Sequence, residues 1–160
     1  MEKILIRGGT LVTDTGRRRA DLLCLEGRIA AVGDNLDADG GAEIVDAGGC
    51  FVMPGGVDPH THMQLPMMDT VVADDFFTGT AAAAAGGTTT ILDFVGPDHG
   101  QSPLDALAVW RERAAKATID YGFHMTVSWW GERFSLEMEP LVREHGVASF
   151  KFFLAYKNRL

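Results

Sequence analysis

Cysteine is nearly missing from these 160 residues, with only Cys24 and Cys50 present. Each sits in an apolar setting without the paired spacing of a metal site, which excludes a disulfide framework and predicts buried, reduced thiols. Long apolar runs are missing too, since none approaches the roughly 20 residues of a membrane span. Met1-Glu2-Lys3 leads into strand-like Ile4-Leu5-Ile6 instead of a secretory leader, so the reading is a cytoplasmic protein with no membrane partner. Positive charge is scarce: 14 Lys and Arg against 22 Asp and Glu give a net charge of -8, which argues against a nucleic-acid partner. The one basic cluster, Arg17-Arg18-Arg19, reads as a solvated turn. No Gly-x-Gly-x-x-Gly follows any strand-like segment, which weighs against a nucleotide-binding α/β fold.

What is present suits a globular domain, with 46% hydrophobic residues to build a core. Two rhythms divide the chain. Up to residue 53, short β-type runs alternate with turn signals: Ile4 to Arg7, Thr10 to Val12, Ala20 to Leu25, then Glu26-Gly27 as a tight hairpin into Arg28 to Val32. This predicts a small antiparallel sheet or β-sandwich segment. From residue 54 to 160 strands alternate with helices. Strands are expected over Met53 to Pro59, Thr88 to Val95, Tyr121 to Trp129 and Ala148 to Ala155, and helices near Asp74 to Ala85, Ser102 to Ala117 and Ser135 to His145. Ser102 is the expected N-cap of the second helix, with Pro103 opening it and Asp105 three residues after the cap. Gly86-Gly87 and Gly146 are placed to end the other two. Thr88 to Val95, β-branched and almost wholly apolar, predicts a strand buried on both faces. Repeated βα units imply a parallel sheet, doubly wound or barrel-forming, and four strands with three helices amount to about half of an eight-stranded barrel of roughly 250 residues.

Two places carry chemistry. His60-Thr61-His62 lies where an apolar run breaks into a polar stretch. On an extended backbone residues two apart share a face, so both imidazoles, with Asp58 in the same parity, converge as metal ligands do. Solvated or core-packed histidines are the alternative. Lys151 interrupts Phe150, Phe152, Phe153 and Leu154 in a strand expected to be buried. A buried ammonium is expensive, so such a lysine is neutral, paired or chemically used, unless it snorkels from a strand end to water.

Several segments together resemble one family. They are Pro-Gly-Gly-Val-Asp-Pro-His-Thr-His-Met-Gln-Leu from Pro54 to Leu65, Asp74-Asp75-Phe76-Phe77, Ala85-Gly86-Gly87-Thr88-Thr89, Asp120 to His124, and Ser149-Phe150-Lys151 through Ala155-Tyr156-Lys157-Asn158. In order, spacing and identity they resemble the dihydropyrimidinases and hydantoinases, cyclic amidohydrolases of the amidohydrolase superfamily. The resemblance implies an α/β fold: the N-terminal part, about half, of a metal-dependent hydrolase TIM-type (β/α)8 barrel, preceded by the small β-sandwich segment.

It also implies a site. His60 and His62 bind one of two divalent ions, zinc or alternatively manganese, and Lys151, carboxylated by carbon dioxide, bridges both. Tyr156 hydrogen-bonds the substrate carbonyl and stabilises the developing oxyanion. Met63, Leu65, Met67 and Phe153 resemble the apolar lining around the substrate's exocyclic group. His124 matches a structural position, His99 falls in a loop, and His145 lies at a helix end that favours a cation.

The implied reaction is hydrolysis of the cyclic amide of dihydrouracil, dihydrothymine or hydantoins to N-carbamoyl amino acids. Met63-Gln64-Leu65-Pro66 follows the histidine pair where dihydroorotases place an arginine for the substrate carboxylate, which favours an uncharged cyclic diamide. Allantoinase and a non-catalytic scaffold relative are the alternatives. By the resemblance, two more histidines and an aspartate should follow in the later barrel strands, beyond the residues given, so this stretch alone is expected to be inactive. The complete protein is expected to be a homo-oligomer, commonly a tetramer.

Overall fold

The computed structural model describes residues 2–37, 40–67, 69–147 and 149–155, with the side chain of Met67 excluded. The chain divides into two compact units, Met1–Pro54 and Gly55–Leu160.

Among its described residues the first unit holds seven strands: β1 (Lys3–Arg7), β2 (Thr10–Thr13), β3 (Gly16–Arg19), β4 (Asp21–Leu25), β5 (Arg28–Gly33), β6 (Glu43–Asp46) and β7 (Phe51–Val52). They form two small sheets, ordered β5-β4-β1-β6 and β3-β2-β7. Side chains of both sheets, among them Ile6, Leu22, Leu11 and Val52, line one apolar trough of about 770 Å³. The β4–β5 hairpin turns on Glu26 and Gly27, with φ of 49° and 73°. Two successive positive φ values are what a tight hairpin needs to match strand twist, and glycine adopts one without strain.

Three expectations are corrected here. The sheets are mixed, because β6 and β7 run parallel to β1 and β2. Their long connections let the chain return in the same direction, which a two-residue hairpin cannot do. Arg17-Arg18-Arg19 lies in strand β3, not in a turn, and all four β3 residues are exposed, so no apolar alternation marks the strand. Cys50 is exposed and Cys24 half-buried, both as free thiols, because Cys50 follows the Gly48-Gly49 turn at the surface.

The second unit contains β8 (Gly56–Thr61), the short hairpin β9 (Pro66–Met67) and β10 (Thr70–Val71), α1 (Phe76–Ala85), β11 (Thr88–Val95), α2 (Pro103–Ala114), β12 (Asp120–Thr126), α3 (Glu132–Arg143) and β13 (Phe150–Lys151). Four strands in the order β13-β12-β11-β8 are all parallel and form a curled half-barrel. Each helix connects two of them in succession.

Local chemistry explains the helix boundaries. Asp75 and Thr78 form a reciprocal capping box at the start of α1, and the Lys116 ammonium reaches Asp75 at 2.6 Å. Ser102 caps α2 by accepting from the Asp105 N–H at 3.2 Å, with Pro103 opening the helix. The Ser102 hydroxyl also donates to Glu137 of α3 at 2.6 Å, so the cap of one helix is tied to the flank of the next.

Periodicity in β11 and β12 sorts their side chains. Ile91, Val95, Phe123 and Met125 face Leu107, Trp110, Phe134 and Leu141 of the helices and form a single core. Leu92, Phe94, His124 and Thr126 fall on the opposite face, two residues apart along each strand. Among the described residues no helix is long and apolar enough to cross a membrane.

Burial departs from expectation at the sheet margins. The strand carrying the histidine pair is not buried: β8 is an edge strand, and only its Thr61 is enclosed. β11 is buried on both faces only toward its C-terminal end. Among the described residues the strand expected over 148–155 reduces to β13, whose ladder pairs are Phe150 with Met125 and Lys151 with Thr126, while Phe152 and Leu154 are exposed.

Candidate metal-binding site

The polar face of the half-barrel gathers at the C-terminal ends of its strands, where barrel enzymes hold their catalytic groups. Its centre is the ring of Phe94. His60 and His62 lie with ring centroids 4.6 Å and 5.1 Å from it and 5.2 Å from each other. His124, the register partner of Phe94 on β12, stacks at 4.6 Å. Lys151, partnered with Thr126 on the next strand, places Nζ 4.1 Å from the Phe94 centroid and 5.1 Å from that of Phe153. One aromatic ring on β11 thus touches both histidines, at the end of β8, and the lysine of β13, from sequence positions about ninety apart.

The backbone beneath the two imidazoles is held at successive positions. Pro59 offers its carbonyl to His124 Nε2 at 2.9 Å, and His124 Nδ1 faces the Ser149 hydroxyl. Asp58 accepts the His60 N–H at 3.1 Å. Asp93, fully buried on β11, accepts the Thr61 hydroxyl at 3.1 Å and the Met63 N–H at 2.7 Å, both on Oδ2. Burial pushes the Asp93 carboxyl above its ordinary range, against the hydrogen bonds from Met63, Thr61 and Phe94 that favour its charge.

His62 is half-buried, and its Nδ1 is enclosed without a hydrogen-bond partner. Burial, with the nearby Lys151 and His60, pushes this imidazole below its ordinary value, toward the neutral form that ligates metals. Among the described residues no three His, Cys, Asp or Glu side chains cluster to hold an ion. The donor set available is two imidazoles and a lysine, and it fits a metal only as far as those imidazoles do until Lys151 acquires an oxygen ligand.

The other residues singled out by sequence fall differently. Lys151 is half-buried, not sequestered, since β13 is short and its outer flank carries no strand among the described residues. Phe153 borders the lysine. Met63 and Leu65 are half-buried and pack against the helix-side core, and Met63 rests on Gly79 of α1 so closely that a Cβ there would overlap its sulfur. Tyr156 and the Met67 side chain lie outside the described residues. His99 is exposed in its loop. At His145 the cation is supplied by Arg111, which bonds both its Nδ1 at 3.0 Å and its carbonyl at 2.9 Å. Sequence reasoning missed Phe94 and Asp93. The available signal was Asp93 itself, the one charged residue inside Thr88 to Val95.

The amidohydrolase family profile matches residues 51–158. A D-hydantoinase of Geobacillus stearothermophilus is 49% identical over 155 residues, 96% of this chain and 33% of its own length. A dihydropyrimidinase of Dictyostelium discoideum is 49% identical over 156 residues, 97% of this chain and 31% of its own. A crystal structure of a D-hydantoinase superposes with a TM-score of 0.94 at 46% identity, covering 99% of this chain and 34% of the other. The chain spans about a third of the length of the curated relatives it matches.

Proposed function

This chain belongs to the amidohydrolase family, and from that premise we propose that it supplies the first strands of a metal-dependent cyclic amidohydrolase that opens dihydropyrimidine or hydantoin rings to N-carbamoyl amino acids. Residues 1–53 are its β-sandwich segment and 54–160 the first part of its barrel. The assembled form is a cytoplasmic homotetramer.

His60 and His62 are the residues that hold the first of two divalent ions, zinc in this reading, with manganese admitted by the same ligand chemistry. Lys151 would take up carbon dioxide: neutral Nζ would form the N–C bond, an N–H proton would leave to solvent, and the resulting carbamate would offer the oxygen ligands that the imidazole pair lacks. When bound, the ions lower the pKa of a water to near neutrality and polarise the ring carbonyl. The Tyr156 phenol donates to that carbonyl and steadies charge developing on its oxygen. Water adds at the carbonyl carbon, the ring C–N bond breaks, and the departing nitrogen gains a proton. Met63, Leu65, Met67 and Phe153 accommodate the ring substituent, and the absence of a cation among residues 63–66 suits a neutral ring.

The observation that carries this reading is the placing of His60, His62 and Lys151 around one ring at the C-terminal ends of parallel strands. It is tested with the protein expressed from its complete reading frame, loaded with zinc. Dihydrouracil or a 5-substituted hydantoin is expected to yield the N-carbamoyl acid, with turnover lost on chelation. A clear preference for dihydroorotate or allantoin overturns the substrate class, and full turnover after metal removal overturns the mechanism.

A further inference from the structure

We propose that Asp93 is a positioning residue for His62, fixing the imidazole pair through its two sequence neighbours, the Thr61 hydroxyl on one side and the Met63 N–H on the other. This rests on the metal-binding reading above. Residues 61 and 63, the two neighbours of His62, both donate to the same carboxylate oxygen, through the Thr61 hydroxyl at 3.1 Å and the Met63 N–H at 2.7 Å. The other oxygen accepts the N–H of Phe94 at 2.8 Å. Asp93 stands opposite Thr61 in the register between β11 and β8, and the next residue, Phe94, puts its ring against both imidazoles. Asp93 and Phe94 therefore act on the same histidine pair, one through the Thr61 hydroxyl and the Met63 N–H, the other through the rings.

The chemistry asks for a carboxylate. The Thr61, Met63 and Phe94 donors converge on two oxygens, with the Trp110 indole also favouring the charge, and an asparagine could offer only one oxygen while turning an N–H₂ toward another donor. Asp93 is fully buried, and no ion pair reaches it among the described residues. A charge so placed is costly unless its hydrogen bonds carry the structure around it. Here those bonds hold an edge strand whose other residues are exposed, at the one point where that strand must present two side chains accurately. Partners that orient metal-binding histidines typically account for roughly 10–100-fold in metal affinity.

The test measures zinc affinity by chelator competition, and the ligand-field spectrum of the cobalt-substituted protein, using the product of the complete reading frame. Asp93→Asn is expected to weaken zinc binding about 10- to 100-fold and to change the cobalt spectrum. Thr61→Val, which removes one of the two flanking bonds, is expected to give a smaller loss in the same direction, and Thr61→Ser to restore binding. Thr61→Val keeps the test decisive should Asp93→Asn fail to fold. If the folded Asp93→Asn and Thr61→Val proteins bind zinc as the parent does with an unchanged cobalt spectrum, whatever their melting temperatures, Asp93 is only structural and the proposal is overturned. His62→Ala separates the two ideas: it is expected to abolish binding at this site. Undiminished zinc in His62→Ala defeats the metal reading itself, whereas loss in His62→Ala with none in Asp93→Asn defeats the positioning role alone.

Discussion

The two units use strands in different ways. In Met1–Pro54 the strands make two short sheets around an apolar trough, and two of them, β3 and β6, expose every side chain. In Gly55–Leu160 both faces of the central strands have work: β11 and β12 give alternate residues to a helix-covered core and the remainder to a polar face where His60, His62 and Lys151 meet. A parallel sheet permits this because its crossover helices cover one face completely and leave the strand ends of the other free to vary. The polar face is only as well defined as the packing behind it.

The largest expected effect tests that dependence. Phe134 is fully buried in the helix-side core, and Phe134→Ala is expected to destabilise the second unit by about 3–5 kcal/mol. Urea unfolding followed by tryptophan fluorescence reads that unit alone, since Trp110, Trp129 and Trp130 all lie in it. A change under about 1 kcal/mol would mean that the core is not what supports the polar face.

A smaller effect concerns acid. Lys116 beside Asp75, with the Thr78 N–H, holds the carboxyl down from 3.8 to about 2. A depressed carboxylate stabilises above its ordinary value, so the tie between α1 and the residues following α2 is expected to be complete above 3.8 and to fade as pH falls through about 2. A carboxyl-carbon NMR titration of Asp75 checks this, and a midpoint near the ordinary value contradicts it. Lys116→Met is expected to move the midpoint upward.

The smallest effect belongs to the first unit. Arg18→Thr on fully exposed β3 is expected to change stability by no more than about 0.5 kcal/mol in urea unfolding followed by far-ultraviolet circular dichroism, which reads the strands of the first unit as well. A large loss would show that β3 matters far more than its exposure implies, and would narrow the contrast between the units.

Local signals made much of the second unit legible. Ser102, Pro103 and Asp105 announce the start of α2, Thr88 to Val95 coincides with β11, and Glu26-Gly27 marks the hairpin, because each feature is written within a few residues. The family and the half-barrel were legible from motif order and the alternation of elements. What could not be read needed pairing over distance. β6 carries Ile44 and Val45 side by side among charges, and only its partner β1 makes it a strand. β3 hides behind three arginines. Asp93 is an isolated acid until register places Thr61 opposite, and Phe94 looks like ordinary core until the sheet curls histidines and a lysine around it. Lys151 was legible as unusual but not as half-exposed, because the extent of β13 depends on how much of β12 remains to pair with it.

The hydrogen bonds of His124 have a consequence for selectivity among ligands. Its Nε2 lies 2.9 Å from the Pro59 carbonyl, and its Nδ1 faces the Ser149 hydroxyl. A third imidazole thus stands one ring away from the pair. Its nitrogens are held by main-chain and hydroxyl partners, whereas the Nδ1 of His62 is enclosed without one.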